Sequence, residues 1–299
     1  MITQSAPAKI NLFLHVGDKR SDGFHPLQSL AVFTDMGDVL AIEPAPSLSL
    51  AIDGPFAMGL DGEGDNLVVR AARALGGGGA ALTLTKNLPV ASGIGGGSSD
   101  AAAALRGLRA LWNDNRDDAA LQTIAAALGS DIPVCLDAVP AFMEGRGEIL
   151  RGVEAMPRVP MLLVNPGVAV PTRDVFAALA TRSGAEMELP HGRFRDTADL
   201  LRFLETTRND LEAPARTLQP VIGDVLAALA ALPGALLSRM SGSGATCFGI
   251  FVDDDCCRRA AKLLARAHPG WWIAPTFVPE TGIAHEALGQ DIGPGPEGL

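Results

Sequence analysis

The run Pro89-Val90-Ala91-Ser92-Gly93-Ile94-Gly95-Gly96-Gly97-Ser98-Ser99-Asp100 decides how the rest of the chain is read. It follows a strand-like stretch, 81–86, with β-branched Thr83 and Thr85, and leads into an alanine-rich helical pattern from 100 to 111. Glycines let a backbone approach a ligand closely and turn successive N–H groups inward. The helix behind them adds its unpaired amides and the positive end of its dipole. Such a cradle suits phosphate oxygens, and Ser98 and Ser99 can donate hydroxyls to phosphate or ligate Mg²⁺. A Walker A loop is excluded because no Gly-Lys dipeptide occurs. The dinucleotide fingerprint is excluded because the sixth position from Gly93 is Ser98. The bland alternative is a linker, or a plain helix entry capped by Ser99 or Asp100.

Bulk properties narrow the field. With 24 basic against 34 acidic residues the net charge is −10, and no stretch concentrates Lys and Arg, so a nucleic-acid footprint is missing. An anionic ligand must be held locally. Cys135, Cys247, Cys256 and Cys257 form no C-x-x-C pair and have no His cluster nearby, which argues for reduced thiols rather than a zinc site or disulfide framework. The N-terminus lacks a leader pattern, and the longest apolar stretches, such as 161–164, are far too short for a membrane span. The expectation is a soluble cytoplasmic protein with no membrane and no obligatory protein partner.

At 299 residues two domains are expected, 1–156 and 157–299, divided at the prolines Pro157 and Pro160. Alternation predicts strands at 8–16, 27–34 and 39–43, with helices at 66–75 and 118–128. The second half reads as strand 161–164, helices near 172–180, 200–206 and 221–232, strands 235–240 and 246–252, helix 255–267 and strand 271–278. From 289 onward the chain has no periodicity and is expected to be a loose tail. The order implies α+β in both halves.

The loop is similar to the phosphate-binding motif of the GHMP kinases. Two further segments match that superfamily: Pro7-Ala8-Lys9-Ile10-Asn11-Leu12 and Ser241-Gly242-Ser243-Gly244-Ala245-Thr246. Within the superfamily, Lys19-Arg20-Ser21-Asp22-Gly23-Phe24-His25-Pro26-Leu27-Gln28-Ser29 resembles the hallmark turn of the branch acting on a diphosphocytidyl methylerythritol. Homoserine or mevalonate-pathway kinases would lack that turn. Leu128-Gly129-Ser130-Asp131-Ile132-Pro133, Gly145-Arg146-Gly147-Glu148, Pro171-Thr172 and Asn209-Asp210-Leu211-Glu212 also match. The resemblance implies an N-terminal α/β domain carrying the phosphate loop, a C-terminal ferredoxin-like α+β domain, and a site in the cleft between them. It implies ATP and Mg²⁺ as cofactors and direct in-line transfer to a small-molecule alcohol.

Residue by residue, chemistry and resemblance give different weights. Asp131 after Gly129-Ser130 reads as a cap or turn residue; the resemblance makes it the base. Lys9 and Asn11 share one strand face while Ala8, Ile10 and Leu12 take the other, as in a strand lining a site. By resemblance Lys9 partners Asp131 and Asn11 hydrogen-bonds substrate. A non-catalytic protein on this scaffold would have lost Lys9 or Asp131, and both are present. His25 reads as a surface histidine, or by resemblance as the reader of the cytosine edge beside the ring of Phe24, where the family has Tyr. Thr172 and Asn66 are good helix N-caps; the resemblance places Thr172 near the substrate phosphates and Asn66 by the adenine. Asp100 reads as a cap, and Gly242, Ser243 and Gly244 as a turn packed beside the phosphate loop. Metal ligation is assigned to ATP oxygens, water and Ser99.

Overall fold

The computed structural model describes residues 1–18, 25–60, 66–179, 187–190 and 192–282. In chain order the first half runs β1 (Ile2–Val16), β2 (Leu27–Pro44), β3 (Ser49–Asp53), α1 (Leu67–Leu75) and β4 (Ala80–Thr85). It continues through α2 (Gly96–Leu111), α3 (Asp118–Leu128), α4 (Ile132–Asp137), β5 (Ala141–Glu144) and β6 (Ile149–Gly152). The second half holds β7 (Val159–Asn165), α5 (Thr172–Ala177), α6 (Thr197–Glu205), α7 (Glu212–Leu218) and α8 (Val221–Ala230). It closes with β8 (Ala235–Met240), β9 (Cys247–Phe251), α9 (Asp254–Ala267) and β10 (Trp272–Val278). No helix among the described residues is long and apolar enough to cross a membrane.

The chain folds as two domains of mixed α and β structure, each with its own sheet. The first sheet runs β3-β4-β2-β5-β6, with β1 also paired to β2. The second runs β10-β7-β9-β8 and is antiparallel throughout. Counted within the second domain, that order is 4-1-3-2 with helices after the first and third strands, the ferredoxin-like split arrangement. Where two strands were expected between 27 and 43, β2 is continuous. The polar residues near Asp35 mark an irregularity in its pairing with β1 between Pro7 and Lys9, not a chain break. Gly37 is needed there, since a Cβ would lie 2.3 Å from the Ala6 carbonyl oxygen.

Three apolar clusters hold these layers. One lies between the first sheet and α1, α2 and α4; its α2 contribution is Ala101 to Ala104, all fully buried. Small side chains let α2 sit close on the sheet, and a Cβ on Gly107 would come within 2.2 Å of Ile42 Cδ1. A second fills the C-terminal domain. The third joins the domains: Ala8, Ile10 and Leu12 of β1 pack with Met161, Leu163, Phe248 and Ile250 of the second sheet. Each of the larger of these side chains contributes about 1.5–3 kcal/mol. The apolar face of β1 is thus fixed in the interdomain core, which turns Lys9 and Asn11 the other way.

Helix α2 starts at Gly96, four residues before the expected position, so the glycines form its first turn. Gly95 is its N-cap, in the left-handed region at φ 64°, with no side-chain cap bond. Asp100 is therefore no cap. It is buried inside the first turns, where Lys86 Nζ donates to its Oδ2 at 2.7 Å and also to Asp38. Asp38 Oδ1 in turn accepts from the backbone N–H groups of Asn87 (2.6 Å) and Leu88 (2.9 Å), fixing the entry to the glycine loop.

Burial pushes the Asp100 carboxyl up to about 7, with Lys86 drawing it down and Asp38 driving it further up. The folded chain therefore holds a proton that the unfolded chain has already released. Stability from this group is full at low pH and is lost as pH rises from the ordinary carboxylate range through about 7. Asp100→Asn is expected to flatten the pH dependence of Tm across that window. A slope equal to that of the wild type, measured by calorimetry, would show Asp100 to be ionised throughout.

Candidate active site

A cavity of about 1330 Å³ opens between the domains, and most of the residues singled out above line it. Its floor is the glycine loop, of which residues 89–93 and 95–98 line the wall. The loop is tied to β1 by Lys9 N–H donating to the Ile94 carbonyl at 2.9 Å. The backbone amides of 96, 97 and 98 are in the first turn of α2, where no intrahelical acceptor precedes them. Ala91, Gly93 and Gly95 all have positive φ, and the two glycines permit it. Gly95 has a steric reason as well: a Cβ would lie 3.1 Å from Lys9 Cβ and Cε.

The loop does not act alone. The 241–246 turn packs on it backbone to backbone. A Cβ on Gly93 would come within 2.6 Å of the Ser241 carbonyl oxygen, and one on Gly242 within 2.8 Å of the Gly93 oxygen. Ser241 Oγ donates to Gly93 O at 3.0 Å, and Thr246 N–H donates to Ser92 O at 3.0 Å. Gly242 and Ser243 line the cavity, while Gly244 lies behind against Gly93.

Above the loop, Lys9 Nζ donates to Asp131 Oδ2 at 2.8 Å and to Asn11 Oδ1 at 3.0 Å. The Lys9 side chain is 4% exposed and that of Asp131 38%, so the carboxylate is the partner that solvent and ligand reach. Asp131 occupies the N-cap position of α4 but makes no side-chain cap bond, which leaves its carboxylate for Lys9. Asn11 is buried, and its amide nitrogen donates to Ser29 Oγ at 2.7 Å. Both polar ends of Asn11 thus have partners in the protein, one of them the Lys9 ammonium, and the residue also lines the cavity. Lys86 also lines the cavity, but its charge is held by Asp38 and Asp100. Those carboxylates outweigh the effect of burial and raise its pKa.

The far end of the cavity carries His25 and Phe176, with ring centroids 6.0 Å apart at 32°. His25 Nδ1 lies 3.0 Å from the Gly17 carbonyl oxygen. A carbonyl only accepts, so Nδ1 carries the hydrogen, and in the neutral ring Nε2 is left as an acceptor. Phe24 lies outside the described residues. Phe176 was missed because one apolar residue in a short helix after Pro171 looks like core; only its facing of His25 across the cleft distinguishes it.

Other expectations need correction. Ser99 is 1% exposed, and its hydroxyl donates to Pro7 O at 2.7 Å, away from the cavity, so it is not a metal ligand here. The reason is the earlier helix start, which rotates Ser99 onto the buried face of α2 and leaves Ser98 on the cavity wall. Ile94 is fully buried in the interdomain core, so only its backbone serves the loop. Ser92 Oγ donates to Pro89 O at 2.6 Å and stabilises the turn. Thr172 is the first residue of α5 rather than its cap, and its hydroxyl pairs with Ser243 Oγ at 2.8 Å. Asn66 is the N-cap of α1, accepting from Val68 N–H at 2.9 Å, and also lines the cavity.

This architecture and sequence have known relatives. Residues 66–145 match the family model for the GHMP kinases N terminal domain, and residues 185–265 that for the GHMP kinases C terminal. A 4-diphosphocytidyl-2-C-methyl-D-erythritol kinase of Cereibacter sphaeroides (strain ATCC 17025 / ATH 2.4.3) is 53% identical over 90% of this chain and 96% of its own length. One of Paracoccus denitrificans (strain Pd 1222) is 53% identical over 91% and 94%. A crystal structure of 4-(cytidine 5'-diphospho)-2C-methyl-D-erythritol kinase superposes with TM-score 0.75 at 36% identity, covering 93% of this chain and all (100%) of that one. A homoserine kinase from Cytophaga hutchinsonii shares the fold at TM-score 0.68 but only 18% identity, over 94% of this chain and 96% of its own. The chain therefore belongs to the 4-diphosphocytidyl-2-C-methyl-D-erythritol kinase family of the GHMP kinases.

Proposed function

We propose that the protein transfers the γ-phosphoryl group of ATP to the 2-hydroxyl of 4-diphosphocytidyl-2-C-methyl-D-erythritol, in non-mevalonate isoprenoid precursor biosynthesis. It acts as a cytoplasmic enzyme on a small molecule, with its domain boundary at 156/157. The observation that carries this reading is the Lys9–Asp131 ion pair of 2.8 Å, in a cavity walled by the glycine loop and ending at His25 and Phe176. A phosphate cradle, a lysine-paired carboxylate beside it and a flat binding end are the parts that phosphoryl transfer to a nucleotide-linked alcohol requires.

The phosphates of ATP lie along residues 93–98, held by backbone amides and the α2 dipole, with the base toward Asn66 and Leu67. Asp131 accepts the proton of the acceptor hydroxyl as its oxygen bonds to the γ-phosphorus and the bond to the ADP oxygen breaks. Lys9 orients the Asp131 carboxylate and stabilises charge on the moving group, with Asn11 fixing its direction. The cytosine stacks at Phe176 and offers its amino group to His25 Nε2, an acceptor that uracil would meet with a carbonyl. Thr172 and Ser243 meet the phosphates between these ends. Mg²⁺ would supply charge neutralisation to the nucleotide phosphates when bound. Among the described residues no group of three or more His, Cys, Asp or Glu is placed to hold a metal ion, so most of its ligands would come from the nucleotide and water.

A coupled ADP-release assay over the cytidylated methylerythritol, homoserine and mevalonate should give turnover with the first alone; turnover with either of the others would overturn the substrate assignment. Asp131→Asn is expected to lower kcat by on the order of 10²–10⁴ while ADP affinity stays near wild type. Undiminished kcat would remove Asp131 as the base. Phe176→Ala should raise KM for the cytidylated substrate about tenfold and leave KM for ATP alone. Equal rises in both constants would contradict a stacking role.

A further inference from the structure

The segment Asn209-Asp210-Leu211-Glu212, which follows α6 and runs into the first residue of α7, has no part in the chemistry above, although Leu211 touches the cavity wall. Its hydrogen bonds run in two directions. Asn209 is 6% exposed, and its one amide nitrogen donates to both Met240 O and Gly242 O at 2.8 Å. Its Oδ1 accepts from Leu211 N–H at 2.9 Å, and Glu212 Oε2 accepts from Met240 N–H at 3.3 Å. These bonds seat the turn whose Gly242 lies against Gly93 of the phosphate loop.

Asp210 points the other way. Its Oδ2 accepts from Val16 N–H at 2.8 Å and its backbone N–H donates to Leu14 O at 2.8 Å, while Oδ1 accepts from Arg208 Nε at 2.7 Å. Val16 ends β1, and the next residue, Gly17, holds His25 through its carbonyl and Pro26 through its N–H. Adjacent side chains therefore grip the two ends of the cleft.

We infer that residues 209–212 are a two-ended positioning clip, in which Asn209 sets the glycine turn for the phosphate end and Asp210 sets the end of β1 for the His25 end. The chemistry of each position is specific. Two converging carbonyls require the two N–H donors of a primary amide, and a terminal strand N–H requires an acceptor. Neither residue touches ligand; each acts through a loop that does. The assignment of ends rests on the function proposed above.

Calorimetric titration of the full chain with ADP and with CDP separates the two arms. Asn209→Asp keeps the acceptor for Leu211 N–H but turns an acceptor toward two carbonyls. It is expected to weaken ADP on the order of tenfold and CDP by less than about twofold. Asn209→Ser, which removes the donors without adding charge, carries the same expectation should the first variant fail to fold. Asp210→Ala is expected to do the reverse, weakening CDP and sparing ADP. Arg239→Gln is the structural control: it disrupts the bonds of a buried guanidinium to Leu12 O, Leu204 O and Thr207 O outside the cavity wall, and should lower Tm without separating the two affinities. Variants at 209 and 210 that weaken both ligands equally, or neither, would overturn the clip. Wild-type protein that binds ADP but not CDP would instead overturn the cytidylated substrate, and the Asp210 arm with it.

Discussion

The outer edge of β1 is the constraint on which the site depends. On one side the strand pairs with β2 over its whole length. On the other no strand among the described residues lies beside it, yet the N–H groups of its buried part, from Ala8 onward, must find acceptors. Lys9 finds Ile94 O, Asn11 finds Ser241 Oγ, Leu14 finds Arg208 O and Val16 finds Asp210 Oδ2. Each acceptor belongs to a segment that builds or braces the cleft. A hydrogen bond of this kind nets only about 1 kcal/mol, but a buried donor left unmet costs about 1–3 kcal/mol. The loops are consequently held to one strand, and through it to one another.

The same strand explains how a chain of net charge −10 can hold polyanions. Attraction is local rather than a property of the whole surface. Lys86 is neutralised by Asp38 and Asp100, so it anchors the loop entry without adding to the potential of the cleft. Positive elements near the loop include the α2 amides and Lys9, which shares its charge with Asp131 and whose stem passes over Gly95 because that residue has no Cβ. The Gly93–Gly242 contact works on the same principle, since a Cβ on either residue would come within 2.8 Å of the backbone facing it.

Much of this was legible in the residues. Alternation along 8–12 put Lys9 and Asn11 on the face opposite Ala8, Ile10 and Leu12, and the third apolar cluster buries that second set. The glycine run read as a loop entering a helix, and it leads directly into α2 along the cavity wall. What misled was starting the helical pattern at 100: the glycines before it form the first turn of α2, which buried Ser99 and carried Asp100 into the cluster with Lys86 and Asp38. Short elements escaped as well. β5, β6, α4 and α7 are four to seven residues long, too short for a period to register, and are stabilised by their packing.

By itself the sequence determined the class of site, because a glycine run between strand and helix, and the two faces of a strand, are local properties with local physical causes. The tertiary structure decided which groups meet. Lys9 and Asp131 are 122 positions apart, and Asn11 and Ser241 are 230 apart. No periodicity encodes such distances. They follow from burying one face of β1 between two sheets, which leaves its polar face and its unpaired edge to gather the loops of the active site.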